Sequence, residues 1–101
     1  MKEKLLKIIN HYNVNNQLRK LNEEVFELQE AIIIHELKKS VEYEIPLTEI
    51  IGTKEHITEE IADVMVIVEQ FVHYYDIDPY KVGEIMDKKI DRQIERIKNG
   101  K

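Results

Sequence analysis

The sequence predicts an all-α protein, folded as a helical bundle of three main helices plus a short N-terminal helix. Glycine and proline are scarce, with three and two among 101 residues. Apolar residues recur at the spacing of an α-helix, and the alternation typical of strands is weak. A chain of this length forms one domain with a modest core, so we treat residues 1–101 as a single domain.

The N-terminal half is expected to hold two helices. A short helix is predicted over residues 2–10, followed by a break over residues 11–13. Asn10 or Asn13 is the expected N-cap of the next helix, because asparagine side chains accept hydrogen bonds from free helical N–H groups. The first long helix then covers residues 14–39.

In the C-terminal half, an irregular segment is expected over residues 40–53, where Pro46 and Gly52 interrupt helical patterning. The second long helix is predicted over residues 54–75.

A third main helix is expected to start with Asp78 as N-cap and Pro79 at its first position, since proline is well tolerated there. It runs to about Lys98 and stops near Gly100.

Helical wheels at about 100° per residue assign the apolar faces. One stripe on the first long helix consists of Leu18, Leu21, Val25, Leu28 and Ile32. A second stripe, well away from it, consists of Phe26, Ile33 and Leu37. The predicted core stripe of the second long helix is Ile61, Val64, Met65, Val68, Phe71, Val72 and Tyr75. That of the third is Val82, Met86, Ile90 and Ile97. Because one stripe serves the subunit's own core, the extra stripe predicts that oligomerisation completes the bundle.

Composition excludes several classes of function. Without cysteine, disulfides and thiolate metal sites are ruled out, so any metal must be held by oxygen or imidazole. A net charge of -5 disfavours nucleic acid and anionic membranes as partners. No stretch reaches the roughly 20 apolar residues of a membrane helix, and the N-terminus lacks the apolar block of a signal peptide. We therefore expect a soluble, cytoplasmic protein with no membrane partner.

The strongest chemical signal is a pair of carboxylates on each of the two long helices. Glu24 and Glu27 lie three residues apart on the first, and Glu60 and Asp63 do so on the second. Residues at this spacing are neighbours on one helical face. The wheels place all four at the border of the apolar stripes and point the adjacent acids, Glu23 and Glu59, to solvent. Both pairs flank their stripes on the same rotational side, so antiparallel packing of the two helices would make them face each other.

Four carboxylates at the border of the apolar stripes predict a bound cation. Two carboxylates 4 Å apart repel by about 4 kcal/mol at an effective dielectric of 20. Mg²⁺ and Mn²⁺ prefer carboxylates with water and substrate phosphates as ligands. The alternative is that these are ordinary surface acids, since 35% of the residues are charged. A di-iron carboxylate site is disfavoured, because no glutamate has a histidine three residues later.

At these residues the chain resembles the MazG-like, all-α nucleoside triphosphate pyrophosphohydrolases. That family carries E-E-x-x-E on one helix and E-x-x-D on the next, followed by an apolar run. The matching stretches here are Leu21-Asn22-Glu23-Glu24-Val25-Phe26-Glu27-Leu28 and Glu59-Glu60-Ile61-Ala62-Asp63-Val64, with the apolar run from Val64 to Val72. The resemblance covers about residues 14–98.

The resemblance implies that Glu24, Glu27, Glu60 and Asp63 ligate Mg²⁺, with Mn²⁺ as a substitute. It also implies a homodimer or homotetramer with active sites near subunit contacts. The implied reaction is hydrolysis of a (deoxy)nucleoside triphosphate to the monophosphate and pyrophosphate. Glu24 and Glu27 are the catalytic candidates, with Glu27 also able to accept the proton of the attacking water.

An acidic site also needs positively charged side chains to bind the triphosphate. Lys89, Arg92 and Arg96 share one flank of the third main helix, and Lys20 shares a strip with Glu24; all four are candidate phosphate ligands. Basic residues near a helix C-terminus also suit the helix dipole, and Lys20 also suits an ion pair with Glu24.

For the base, the candidate hydrogen-bonding residues are Asn15, Asn16, Gln17 and Asn22, and the candidate stacking residues are Tyr74 and Tyr75. Each could instead be a cap, a surface amide or a core aromatic.

Two other functions remain open. Phosphoribosyl-ATP pyrophosphohydrolase, the histidine-pathway enzyme, belongs to the same superfamily. It shares the fold and the same kind of carboxylate metal site, so the acidic motifs do not exclude it. A non-catalytic helical assembly module would carry the same acids as solvated surface charges.

Overall fold

Four α-helices make up the regular structure of the described residues. The computed structural model describes residues 1–40 and 46–100, and no strand occurs within these ranges. The helices are α1 (Lys2–Tyr12), α2 (Val14–Ser40), α3 (Leu47–Tyr74) and α4 (Pro79–Lys98). The all-α prediction is confirmed, and none of these four helices has the length and apolarity needed to cross a membrane.

Two of the predicted caps are confirmed. Asn13 separates α1 from α2 with a φ of 73°, and its Oδ1 accepts a hydrogen bond from the backbone N–H of Asn16 at 2.9 Å. Asparagine enters this left-handed region more readily than most residues. Asp78 Oδ1 accepts from the N–H of Tyr80 at 2.9 Å, with Pro79 at the first helical position.

The beginning of α3 corrects the sequence prediction. The helix starts at Leu47, so the expectation of an irregular segment is wrong for residues 47–53. The expectation for residues 41–45 lies outside the described residues.

The prediction failed here because Pro46 and Gly52 lie at positions where they do not prevent a helix. Pro46 is the N-cap, and its carbonyl accepts from the N–H groups of Glu49 and Ile50. Gly52 is exposed in the helix interior, which costs only about 1 kcal/mol relative to alanine. Contacts with α2 hold this first part of α3, since Lys38 pairs with Glu49 at 3.0 Å.

α2 and α3 pack antiparallel along a seam of regularly spaced positions. Three hydrogen-bonded or ion-paired contacts run in opposite directions along the two helices: Gln17–Gln70, His35–Thr53 and Lys38–Glu49. The less exposed positions of α2 include 17, 21, 24, 28, 31, 35 and 38, and those of α3 include 50, 53, 57, 60, 64, 67 and 71. Alternating steps of three and four residues are the heptad spacing of coiled coils.

α1 closes one end of this helix pair. It packs against α3 and α2, and it buries Leu5 and Ile9, of which Ile9 is fully inaccessible. The buried apolar core of the described residues is Leu5, Ile9, Ala31 and Ile67. The core is therefore small and lies where the three helices meet.

The apolar stripes predicted from the wheels are wrong in part. On α3, Ile61, Met65 and Val68 are exposed, while the polar Glu60 and Gln70 are buried. The wheels followed apolar residues alone, whereas the seam follows heptad spacing and includes polar positions. The same error applies on α2, where Leu18 and Ile32 are exposed.

α4 carries an apolar face that its own chain leaves uncovered. Among the described residues it has no contact with α1–α3 comparable to those they make with one another. Its large apolar side chains, Ile85, Met86, Ile90, Ile94 and Ile97, are all exposed. The prediction that α4 adds a stripe to the subunit's core is therefore wrong for the single chain.

The first testable prediction concerns the junction of α1 with the helix pair. Ile9→Ala should lower the free energy of unfolding by about 2–5 kcal/mol, because it opens a cavity at a fully buried site. Urea unfolding at fixed protein concentration measures this. Lys7→Ala, at an exposed site of the same helix, is the control and should change stability by less than about 0.5 kcal/mol. Equal effects of the two changes would contradict the docking of α1.

Candidate metal centre

Three carboxylates from two helices converge at the middle of the α2–α3 seam. Glu24 comes from α2, and Glu60 and Asp63 come from α3. One oxygen of each lies within 4.8 Å of the others. Glu24 and Glu60 are only 6% and 8% exposed, whereas Asp63 is exposed. Glu24 and Glu60 both occupy heptad positions of the seam, which is why the fold brings them inward.

Each buried glutamate has a basic neighbour one turn earlier on its own helix. Lys20 Nζ lies 3.1 Å from Glu24 Oε1, and His56 Nε2 lies 3.5 Å from Glu60 Oε1. The second oxygen, Oε2, of each glutamate is buried without a hydrogen-bond partner. Because buried carboxylate oxygens are normally hydrogen-bonded or ion-paired, these two atoms are available to a cation, or to a proton shared between Glu24 and Glu60.

The two glutamates differ in their electrostatics. Burial acts to raise the pKa of Glu24, but the hydrogen bond and positive charge of Lys20 outweigh it and hold that pKa below its usual value. The same pairing raises the pKa of Lys20. Burial also raises the pKa of Glu60, and the negative charges of Glu27, Glu24 and Asp63 raise it further. The site therefore holds more negative charge than its own cations offset.

The residues present fit a divalent cation with oxygen ligands. The donors are carboxylate oxygens from two helices, which suits a hard divalent cation and not a thiolate-binding metal. The two Oε2 atoms without a hydrogen-bond partner keep lone pairs that can bind a cation. Exposure of Asp63 leaves room for water and a phosphate group to complete the coordination shell.

Glu27, the fourth predicted ligand, lies beside the cluster and outside the set of three. It is exposed, and it lines a surface groove together with Glu60 and His56. Its charge is close enough to raise the pKa of Glu60. Glu23 and Glu59 are exposed, as the wheels predicted. The wheels were wrong for Glu27 and Asp63, which they placed half-buried at the apolar border and which are exposed.

The predicted phosphate ligands fall into two groups. Lys20 is at the site, through its ion pair with Glu24. Lys89, Arg92 and Arg96 are on α4, which the single chain does not bring to the carboxylates.

Sequence reasoning missed two residues: His56 at the site, and Gln70 farther along α3. His56 precedes Glu60 by four positions, as Lys20 precedes Glu24, so the same spacing rule would have found it. Gln70, 2% exposed, accepts a hydrogen bond from Gln17 Nε2 at 2.7 Å. The heptad spacing of buried positions would have placed Gln17 in the seam, although an apolar pattern alone does not.

Comparison with protein-family models, with curated proteins and with solved structures found no match for this chain.

The second prediction follows from the raised pKa of Glu60. Glu60→Gln should raise the thermal unfolding midpoint in metal-free buffer at pH 8, because it removes an ionised group that folding disfavours. A carboxyl whose folded pKa is raised gains stability as pH falls through that pKa toward the unfolded value of about 4.3. The advantage of the variant should therefore shrink as pH is lowered from 8 to 4.

Thermal unfolding followed by circular dichroism measures this difference. Glu59→Gln is the matched control, since Glu59 is the exposed neighbour, and it should show no such pH-dependent gain. A variant that is less stable than wild type at pH 8 would contradict the assigned repulsion.

Proposed function

We propose that this protein is a Mg²⁺-dependent nucleotide pyrophosphohydrolase that converts a (deoxy)nucleoside triphosphate and water to the monophosphate and pyrophosphate. One observation carries the proposal: two buried carboxylate oxygens from different helices, Glu24 Oε2 and Glu60 Oε2, lack partners at a shared cluster. The resemblance of the acidic motifs to the MazG-like family supports the choice of reaction.

Glu24, Glu60 and Asp63 are the proposed metal ligands, with Glu27 completing the set from the edge of the cluster. Mg²⁺ held there supplies positive charge that offsets the charge on the phosphate oxygens. Glu27 is exposed and is the candidate to accept the proton of the attacking water. Glu24 stays ionised across neutral pH because its pKa is lowered, which suits a ligand.

Lys20 has two roles in this proposal. In the absence of metal it pairs with Glu24 and offsets part of the buried charge. Once a cation takes over that role, the ammonium group can turn to a phosphate oxygen of the substrate, because its side chain is half exposed.

We also propose that the protein works as a homo-oligomer. Its radius of gyration is 17.6 Å, against about 13 Å for a compact chain of this length. Its accessible surface is 8403 Å², against roughly 6,000 Å² for a compact 12.1 kDa monomer. The difference is of the size buried at obligate interfaces, which is roughly 2,000–5,000 Å² in total.

The uncovered apolar face of α4 is the proposed interface, and a second copy is its proposed partner. The apolar face of α3 at Ile61, Met65 and Val68 offers a complementary surface. Such packing would let α4 of one copy approach the acidic cluster of another. Lys89 and Arg92 could then contact the triphosphate, although α4 does not pack near the cluster of its own chain.

The third prediction tests the metal and the reaction together. Wild type should bind Mg²⁺ or Mn²⁺ in isothermal titration and release pyrophosphate from one or more nucleoside triphosphates. The double variant Glu24→Gln/Asp63→Asn should lose both, because two of the ligands become neutral. At free Mg²⁺ 100-fold above Kd, binding should add about 2.7 kcal/mol to the free energy of unfolding of wild type and not of the variant.

The double variant Glu23→Gln/Glu59→Gln is the matched control, since it removes two exposed charges from the same helices. It should keep metal binding and activity. Activity surviving in Glu24→Gln/Asp63→Asn would contradict the catalytic assignment. Metal binding without release of pyrophosphate from any nucleotide would favour an assembly module, and preference for phosphoribosyl-ATP would favour the histidine-pathway enzyme.

The fourth prediction concerns the oligomer. Ile90→Asp/Ile94→Asp should shift wild-type dimers or tetramers toward monomer, because it places charges on the apolar face of α4. Sedimentation equilibrium measures the shift. Lys88→Asp, on the polar side of the same helix, is the control and should leave the assembly intact. A wild-type protein that is monomeric at all concentrations would contradict the proposed interface.

A further inference from the structure

One cavity extends from the carboxylates toward α1. It has a volume of about 470 Å³ and lies between α1, α2 and α3. Lys20, Glu24 and Asp63 line it together with Tyr12 and Gln17. Cavities of roughly 300–1,000 Å³ are typical of small-molecule sites. A single ligand in this cavity would therefore touch both the acidic cluster and the junction of the helices.

Much of the cavity wall is apolar. Ile8 of α1 is half-buried, Ile67 of α3 is buried, and Val66 of α3 is 45% exposed. The Tyr12 ring, 52% exposed, adds an aromatic surface. An apolar wall with an accessible aromatic ring suits a flat, weakly polar body.

Two amide side chains add uncharged polar groups to the cavity. Gln17 is 6% exposed, and its Nε2 donates to Gln70 Oε1, so its amide is held in one orientation. Asn16 Nδ2 donates to the carbonyl of Tyr12 at 2.8 Å, which fixes that amide too. Each amide uses one N–H in these bonds and keeps its oxygen and a second N–H for a ligand. Amides of this kind match the paired donors and acceptors of a nucleobase edge.

We propose that this cavity is the nucleoside subsite of the nucleotide, an inference that rests on the proposed function. The base lies against Ile8, Val66 and Ile67, and Gln17 and Asn16 hydrogen-bond its edge. The first phosphate leads toward Lys20 and the carboxylates. A phosphorylated alkyl chain would fill the apolar space but could not pair with the remaining oxygen and N–H of either amide, whereas a base edge can. Gln70 is a positioning residue, since it acts through Gln17.

The test uses two exposed apolar residues of α3. Val66, 45% exposed, lines the cavity, whereas Ile51, 46% exposed, belongs neither to the cavity wall nor to the proposed interface. Val66→Trp fills the cavity, and Ile51→Trp adds an indole ring elsewhere on the same helix. The probes are nucleoside monophosphates, ribose 5-phosphate and an alkyl monophosphate, each titrated calorimetrically with Mg²⁺ present, and Mg²⁺ alone.

Wild type and Ile51→Trp should bind at least one nucleoside monophosphate, and ribose 5-phosphate at least about tenfold more weakly, because the base supplies the missing contacts. Val66→Trp should weaken nucleotide binding by about tenfold or more while its affinity for Mg²⁺ stays within about twofold. In methyl-labelled wild type, the nucleotide should shift the NMR signals of Ile8 and Ile67.

A second variant tests hydrogen bonding to the base. Gln17→Met keeps the size of the side chain and removes its amide, so it should weaken nucleotide binding without changing the affinity for ribose 5-phosphate. Circular dichroism checks that the helices remain.

Three results would overturn the nucleoside assignment: equal nucleotide affinity in wild type and Val66→Trp, ribose 5-phosphate binding as tightly as the nucleotides, or tighter binding of the alkyl monophosphate. These outcomes are separable from the fate of the proposed function. Nucleotide binding blocked by Val66→Trp, with no pyrophosphate released by wild type, would support the subsite and refute the hydrolase. Hydrolysis with an unchanged kcat/KM in Val66→Trp would do the reverse.

Discussion

The antiparallel packing of α2 on α3 is the constraint on which the rest of this structure depends. Its seam carries polar residues, and three of them, Gln17, His35 and Thr53, occupy heptad positions where helix pairs usually place leucine or isoleucine. Gln17 and Gln70 satisfy each other there, and so do His35 and Thr53. Since Thr53 donates its hydroxyl hydrogen to the carbonyl of Ile50, the His35 ring is the donor in the second pair. Buried polar groups that pair in this way add specificity to a small core.

The carboxylates stand apart from this pattern. Lys20 and His56 each satisfy one oxygen of a glutamate and leave the other without a partner. A fold selected for stability alone would place apolar side chains at these positions. Retaining two buried acids, with a third at the surface, is the kind of local conflict that functional sites show. The electrostatic cost of the cluster and its proposed affinity for a cation have the same cause.

How much the sequence predicts depends on the kind of signal. Local spacing predicted the helices, the caps at Asn13 and Asp78, and the inward orientation of Glu24 and Glu60, because residues within one turn determine these features. The start of α3 did not, since contacts between helices offset the effect of Gly52. The burial of Gln70 also lay beyond prediction, because its partner is 53 residues away.

The alignment of α2 and α3 has a consequence for how the chain responds to ions. Sliding one helix past the other by a heptad would keep the three-four spacing of the seam in contact, yet it would separate Gln17 from Gln70 and Glu24 from Glu60. Loss of the Gln17–Gln70 hydrogen bond opposes such slippage. Separation of Glu24 from Glu60 relieves their repulsion and therefore favours it. A cation bound by both glutamates would offset their repulsion, so slippage would no longer gain from separating them. If the proposed site binds a divalent ion, that ion should favour the aligned state of the helix pair, and without it the preference for a single register should be weaker.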